Sequence, residues 1–215
     1  MYFFDLDGTL LDSTSIWSDI DVAFLSRRGI SPVPPDYTDY VSHHSAPDAA
    51  RYTKQRFGLR ESPQEIMDEW EGMAQAAYSQ TLELKPGVKD FLLAAKGEGK
   101  RMAVITSCFP HLCRAALEHH KIAHLFELVL TTMETGLEKR DGELYRMAAR
   151  MCGVEPQECT LFEDNPGYCS AAREVGFRIV GIRDPMFADR QDKNGALCLH
   201  GRFLNDFTEI STQEL

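Results

Sequence analysis

The sequence has no apolar run approaching the roughly 18–20 residues that a membrane-spanning helix requires. It also has no Cys-x-x-Cys pair. Cys108, Cys113, Cys152, Cys159, Cys169 and Cys198 are scattered, several among apolar residues where a thiol behaves as a small hydrophobe. A disulfide framework and a zinc site are set aside on that spacing, and the six read as reduced, mostly buried thiols. Positive charge is scarce: 23 Lys and Arg stand against 33 Asp and Glu, a formal charge of −10. An acidic surface repels phosphate backbones and anionic lipid, so nucleic acid and membrane are not expected partners. The opening MYFFDLDG lacks a basic segment and meets two carboxylates before any apolar stretch is long enough for an export signal. A soluble, cytoplasmic protein is expected. Internal repeats and low-complexity tracts are absent too.

What is present is a strand–helix alternation. Short apolar runs at Tyr2–Phe4, Met102–Thr106, Leu128–Thr131, Thr160–Phe162 and Arg178–Ile182 read as buried strands. Helical spacing lies between them: Val88, Phe91, Leu92, Ala95; then Leu112, Ala115, Ala116; then Leu144, Met147, Ala148, Met151. Alternation of this kind predicts an α/β fold, a Rossmann-like parallel sheet with helices on both faces and ligands at the carboxyl ends of the strands. Between Asp12 and Pro86 the alternation stops. Ile16, Ile20, Ala23 and Phe24 mark one helix, and Ser62-Pro63-Gln64-Glu65 is a capping box opening a second, with a stripe of Ile66, Met67, Trp70, Met73, Ala74 and Ala77. Ser31-Pro32-Val33-Pro34-Pro35 reads as a stiff loop. The expected organisation is therefore a core of residues 1–13 and 85–215 interrupted by an all-helical cap, residues 14–84. The tryptophans and the Met-rich cap helix read as core, which favours a monomer.

Chemistry concentrates where strands end. Asp5-Leu6-Asp7-Gly8-Thr9 follows the first strand, and alternate residues of an extended chain share a face, so Asp5 and Asp7 both reach its carboxyl end. Gly8 and Thr9 are expected to offer backbone N–H groups at the turn. Glu163-Asp164 follows the fourth strand and would project at the same edge. Four carboxylates on one edge repel unless a cation intervenes, and oxygen donors favour Mg2+ over zinc or iron. Thr106-Ser107 ends the second strand with hydroxyls and free N–H groups suited to an oxyanion, and Lys139 adds a point charge beyond the third.

This ordered set resembles the haloacid dehalogenase-like superfamily, in the branch with a helical cap inserted after the first strand (phosphoglycolate phosphatase and β-phosphoglucomutase-like). FFDLDGTLLDS resembles its first motif, Thr106 its second, Lys139 its third and LFEDNPGYCSAAREVGF its fourth, over residues 3–182. The resemblance implies a Mg2+-dependent phosphatase acting on a small phosphorylated metabolite. In it Asp5 is the nucleophile that becomes an aspartyl-phosphate, and Asp7 protonates the leaving alcohol and then activates water. Thr106, Ser107 and Lys139 hold phosphoryl oxygens. Mg2+ lies on Asp5, the Asp7 carbonyl and Asp164, with Glu163 as ligand or as partner of a ligand. Relatives that cleave carbon–halogen or phosphonate bonds lack the acid found here at Asp7, so phosphate-ester chemistry is implied. Sugar-phosphate mutases keep that acid but usually carry histidine where Trp17 stands, which places hydrolysis ahead of mutase activity. A regulatory protein that lost catalysis would carry a damaged motif, and none is damaged. After Lys139 the family commonly has a proline-containing turn. Here Arg140-Asp141-Gly142 follows, so that either Asp141 pairs with Lys139 or Arg140 adds a second cation. Trp17, His43 and His44 are the expected contacts to the leaving group, with His43-His44-Ser45 between the first two cap helices.

Overall fold

The five apolar runs become the strands of one parallel sheet: β1 (Tyr2–Phe4), β2 (Met102–Thr106), β3 (Leu128–Thr131), β4 (Thr160–Glu163) and β5 (Arg178–Gly181). Their spatial order is β3-β2-β1-β4-β5, in a computed structural model that describes residues 1–215. β1 is therefore central, flanked by β2 on one side and β4 on the other, with all neighbours parallel. The chain direction across the sheet reverses beside β1, and this is where an open α/β sheet leaves a crevice at its carboxyl edge.

Strand residues alternate between two apolar layers. On one face Tyr2 and Phe4 join Phe91, Phe162 and Phe207; Phe4 and Phe162 stack at 4.5 Å and Phe162 and Phe207 at 5.5 Å. On the other, Phe3 packs with Phe177 at 5.4 Å, beside Leu144, Tyr145 and Ala148.

Residues 14–81 form only helices: α1 (Thr14–Ser26), α2 (Pro35–Val41), α3 (Ala46–Phe57) and α4 (Pro63–Ala76), the last running into a π-helical turn over Ala77–Thr81. The capping box is formed, with the Glu65 N–H donating to Ser62 Oγ at 3.2 Å and the Ser62 N–H to Glu65 Oε2 at 2.7 Å. The sequence reading resolved α1 and α4 but not α2 and α3. The residues that α3 buries are small or polar (Ala49, Ala50, Thr53), and α2 buries Tyr37 alone, so neither carries an apolar stripe to read. As a result His43 and His44 lie between the second and third of these helices, not the first and second.

The two connections between this helical segment and the sheet run side by side. The Asp12 N–H donates to the Glu83 carbonyl at 3.0 Å and the Lys85 N–H to the Leu10 carbonyl at 2.9 Å, around an antiparallel Leu11–Leu84 bridge. The remaining helices are α5 (Val88–Gly97), α6 (Pro110–His119), α7 (Thr132–Thr135), α8 (Gly142–Met151), α9 (Pro166–Glu174) and α10 (Ala188–Asn194). No helix is long and apolar enough to cross a membrane. All six cysteines are free and buried.

Candidate active site

Asp5 is the first residue past β1 and is tied into the sheet, its N–H donating to the Phe162 carbonyl at 3.0 Å. The chain then turns sharply through Gly8, at φ +76°. A Cβ there would sit 2.5 Å from Asp164 Oδ2, so glycine is what allows the β4 carboxylate to approach this turn. Thr9 does not face the cavity; its hydroxyl donates to Asp164 Oδ1 at 3.1 Å and fixes that carboxylate. Nor is the Gly8 N–H free, because it donates to the Leu11 carbonyl at 3.0 Å and to Ser13 Oγ at 3.2 Å. Of the two expected anion-binding N–H donors, Gly8 is thus engaged within the protein, whereas the Thr9 N–H has no acceptor. The N–H groups of Leu6 and Asp7, just upstream, have no hydrogen-bond acceptor either.

Asp5, Glu163 and Asp164 converge, with one carboxylate oxygen from each lying within 4.8 Å of the others. All three are buried, and so is Lys139, which is 1% exposed. Lys139 Nζ lies 2.7 Å from Asp5 Oδ1 and 2.6 Å from Glu163 Oε2. Glu163 Oε2 has no partner other than Lys139. Burial opposes the charge on Lys139, but Asp5 and Glu163 hold its pKa well above the usual lysine value. Burial pushes Asp164 far up as well, reinforced by Glu163, Asp5 and Asp184. With all three carboxyl groups ionised, one ammonium would leave two negative charges uncompensated. Each would cost several kcal/mol in a low-dielectric site, a large fraction of the ~5–15 kcal/mol that holds a domain folded. An all-oxygen, doubly charged donor set of this kind fits Mg2+.

Asp7 points elsewhere. The Tyr78 hydroxyl donates to Asp7 Oδ1, and Tyr78 accepts from Trp17 Nε1 at 2.8 Å. Burial raises the Asp7 pKa to about 6, against the Tyr78 hydrogen bond and with help from the Asp5 charge. Thr106 Oγ1 accepts the Cys108 N–H at 3.0 Å, while Ser107 Oγ is buried with no partner. Both Thr106 and Ser107 line the same cavity, of about 210 Å³, as Asp5, Asp7, Lys139 and Trp17.

The two alternatives for the segment after Lys139 both fail. Asp141 caps α8, accepting the Glu143 N–H at 2.9 Å, and Arg140 reaches the helical segment, 3.2 Å from Asp48 Oδ2. His44 lines the cavity, with Nδ1 2.7 Å from the Tyr40 carbonyl. His43 does not line it; it contacts Arg190 and packs on Phe187.

Sequence reasoning missed Tyr78, Asp184 and Lys85. Asp184 is buried, 3.5 Å from Lys85 Nζ, and accepts from the Thr14 hydroxyl. It lies three residues past β5, and the strand-end rule that singled out Asp5 and Asp164 would have found it. Tyr78 has no such signal.

A profile of haloacid dehalogenase-like hydrolases matches residues 2–182. The chain belongs to this family. Hexitol phosphatase A of Escherichia coli K12 is 26% identical over 192 residues, covering 86% of this chain and 83% of that protein. The phosphoserine phosphatase of Thermus thermophilus is 38% identical over 101 residues, but those cover 46% of this chain and 39% of the relative. Among solved structures, CbbY from Rhodobacter sphaeroides with bound phosphate superposes with a TM-score of 0.78 at 19% identity, covering 100% of this chain and 97% of that one. At that identity the likeness establishes the fold: this haloacid dehalogenase-like hydrolase has the family's Rossmann-like sheet.

Proposed function

We propose that this hydrolase removes phosphate from a small phosphate monoester, with Mg2+ and through an aspartyl-phosphate. The core is residues 1–13 and 85–215, and the cap is residues 14–84. The observation that carries the reading is the division of labour between two neighbouring carboxyl groups. Asp5 is ion-paired to buried Lys139, while Asp7 is held apart on Tyr78 and kept partly protonated near neutral pH. Relatives named as phosphatases of hexitol and phosphoserine support the same class of ester.

An Asp5 oxygen attacks phosphorus as the bond to the leaving oxygen breaks, and Asp7 gives its proton to that oxygen. Asp7, now a carboxylate, takes a proton from water. The water oxygen attacks phosphorus, the Asp5–phosphorus bond breaks, and inorganic phosphate leaves. Lys139, Thr106, Ser107 and the N–H groups of Leu6 and Asp7 face the phosphoryl oxygens. Asp5, Asp164 and the Asp7 carbonyl would hold Mg2+, with Glu163 as a fourth donor or a partner of Lys139. When bound, the ion supplies positive charge that offsets repulsion between carboxylate and phosphate.

Mutase activity needs an acid–base partner for Asp7 that also cycles protons with the substrate. Trp17 and Tyr78 stand at that acid, and neither an indole nor a phenol exchanges a proton near pH 7 as an imidazole does. Hydrolysis is favoured on that ground.

Phosphate release from nitrophenyl phosphate is the test, with Mg2+ or EDTA, in wild type and Asp5→Asn. Mg2+-dependent release that vanishes in the variant is expected. Activity retained by Asp5→Asn would remove the nucleophile from its place.

A further inference from the structure

Lys139 is the only lysine or arginine that lines the cavity, and little in its own main chain fixes it. Neither Lys139 nor Arg140 makes a backbone hydrogen bond. The segment is tied down beside them, by the Leu137 N–H on Thr135 Oγ1 at 3.2 Å and the Asp141 N–H on the Glu138 carbonyl at 2.8 Å. The Lys139 side chain turns inward to Asp5 and Glu163. Its two neighbours reach the other way, onto the start of α3.

Ser45 is the N-terminal capping residue of α3 and is 4% exposed. A serine there usually accepts an N–H of its own first turn, but Ser45 makes no such bond. Its N–H donates instead to Glu138 Oε2 at 3.1 Å, and its hydroxyl donates to Glu138 Oε1. One carboxylate thus takes both donors, at the helix end that favours negative charge. Within the first turn of α3, Asp48 lies 3.2 Å from Arg140, an exposed pair that adds little by itself. Around Ser45, the residues Ser42, His44, Ala46 and Ala49 line the cavity, whereas Glu138 and Arg140 lie outside the lining. Glu138 therefore joins two walls of one cavity without entering it. On one side is Lys139, the next residue in the chain; on the other is the α2–α3 connection. Removing the carboxylate would strand two donors of a buried serine and leave both walls free to shift.

We propose that Glu138 is a positioning residue, clasping Ser45 so that Lys139 and the helical wall stand at the spacing hydrolysis requires. The proposal rests on the phosphatase reading above and adds a residue to it.

The test measures kcat and KM for nitrophenyl phosphate and glycerol phosphate, and Ki for inorganic phosphate, all with Mg2+. The proteins are wild type, Glu138→Ala, Glu138→Gln, Ser45→Ala and the Glu138→Ala, Ser45→Ala double variant. Glu138→Ala is expected to lower kcat/KM about tenfold or more on each ester that wild type hydrolyses, on the order of a lost charge-assisted hydrogen bond. It should also raise Ki several-fold, because inorganic phosphate reads Lys139 without a leaving group. Glu138→Gln should restore most of the loss, since its amide oxygen can take the Ser45 N–H while its NH2 donates to the hydroxyl. Ser45→Ala should cost several-fold alone and nothing further beside Glu138→Ala. Circular dichroism and Tm establish that the compared variants are folded. Unchanged kcat/KM or Ki in folded Glu138→Ala overturns the proposal, even where Tm has fallen. So do additive losses in the double variant, or a Glu138→Gln as impaired as Glu138→Ala. If Glu138→Ala does not fold, Ser45→Ala decides, and unchanged kinetics in it overturn the proposal. Wild type inactive on both esters overturns the phosphatase reading instead, and this proposal with it.

Discussion

Asp5 and Asp7 are two residues apart yet have different partners because different elements hold them. Lys139 comes to Asp5 from beyond β3, and Tyr78 comes to Asp7 from the π-helical turn after α4. Asp7→Asn is expected to cost about 10²–10⁴-fold in kcat on an alkyl phosphate and far less on nitrophenyl phosphate, whose leaving group hardly needs a proton. Steady-state kinetics on the two esters check this directly. Asp21 offers a prediction free of catalysis. Burial raises its pKa from 3.8 to about 7, so the folded chain keeps a proton that the unfolded chain releases. Its contribution to stability is therefore greatest at low pH and falls as pH rises from about 4 to about 7. Urea titrations across that range should show a shallower decline in Asp21→Asn than in wild type. At this scale the sequence was legible where the acidic residues are contiguous with strands: Asp5, Glu163 and Asp164 directly follow or end a buried strand, and Asp7 lies two residues past Asp5. It was not legible at Tyr78, one of seven tyrosines, whose approach to Asp7 depends on how α4 ends.

Helix α4 stands on its capping box and ends in the turn that delivers Tyr78 to Asp7. π-Turns of this sort often occur at functional sites because they rotate one residue out of the helical register. Ser62→Ala removes one half of the box and should lower stability by about 1 kcal/mol, some 2–4 °C in Tm for a chain of this size. Scanning calorimetry reads it. All five strands and both apolar-striped cap helices could be read from hydrophobic spacing, since burial imposes that spacing. α2 buries Tyr37 alone and α3 buries Ala49, Ala50 and Thr53, which are too small or too polar to stand out as a stripe, and the position of the histidine pair shifted with them. The Asp141 alternative failed for a local reason: a side chain just before a helix is better placed to accept an amide N–H of the first turn than to reach back to Lys139.

Over the whole molecule the helical segment is joined to the sheet by polar contacts at its rim and aromatic contacts beneath. The Ser45 N–H donates to Glu138 Oε2 at 3.1 Å, Arg140 lies 3.2 Å from Asp48, and Trp17 stacks on Phe109 at 6.0 Å. The alternation and its interruption made this architecture readable, whereas the rim pairs join residues about ninety positions apart and left no local trace. The acidic cluster gives a test at this scale. At a hundred times its Kd, Mg2+ binding the folded chain alone would add ~2.7 kcal/mol, or about 5–10 °C in Tm. A thermal shift of that order, reversed by EDTA and lost in Asp164→Asn, is the expected result. The paired connections at residues 10–12 and 83–85 carry a last consequence. Because the helical segment leaves and returns through one doorway, its two ends are neighbours, and a tight turn from Asp12 to Glu83 would close the remaining chain over β1 without redirecting any strand. The segment is set into the chain like an inserted cassette, both of whose joins lie at one edge of the sheet.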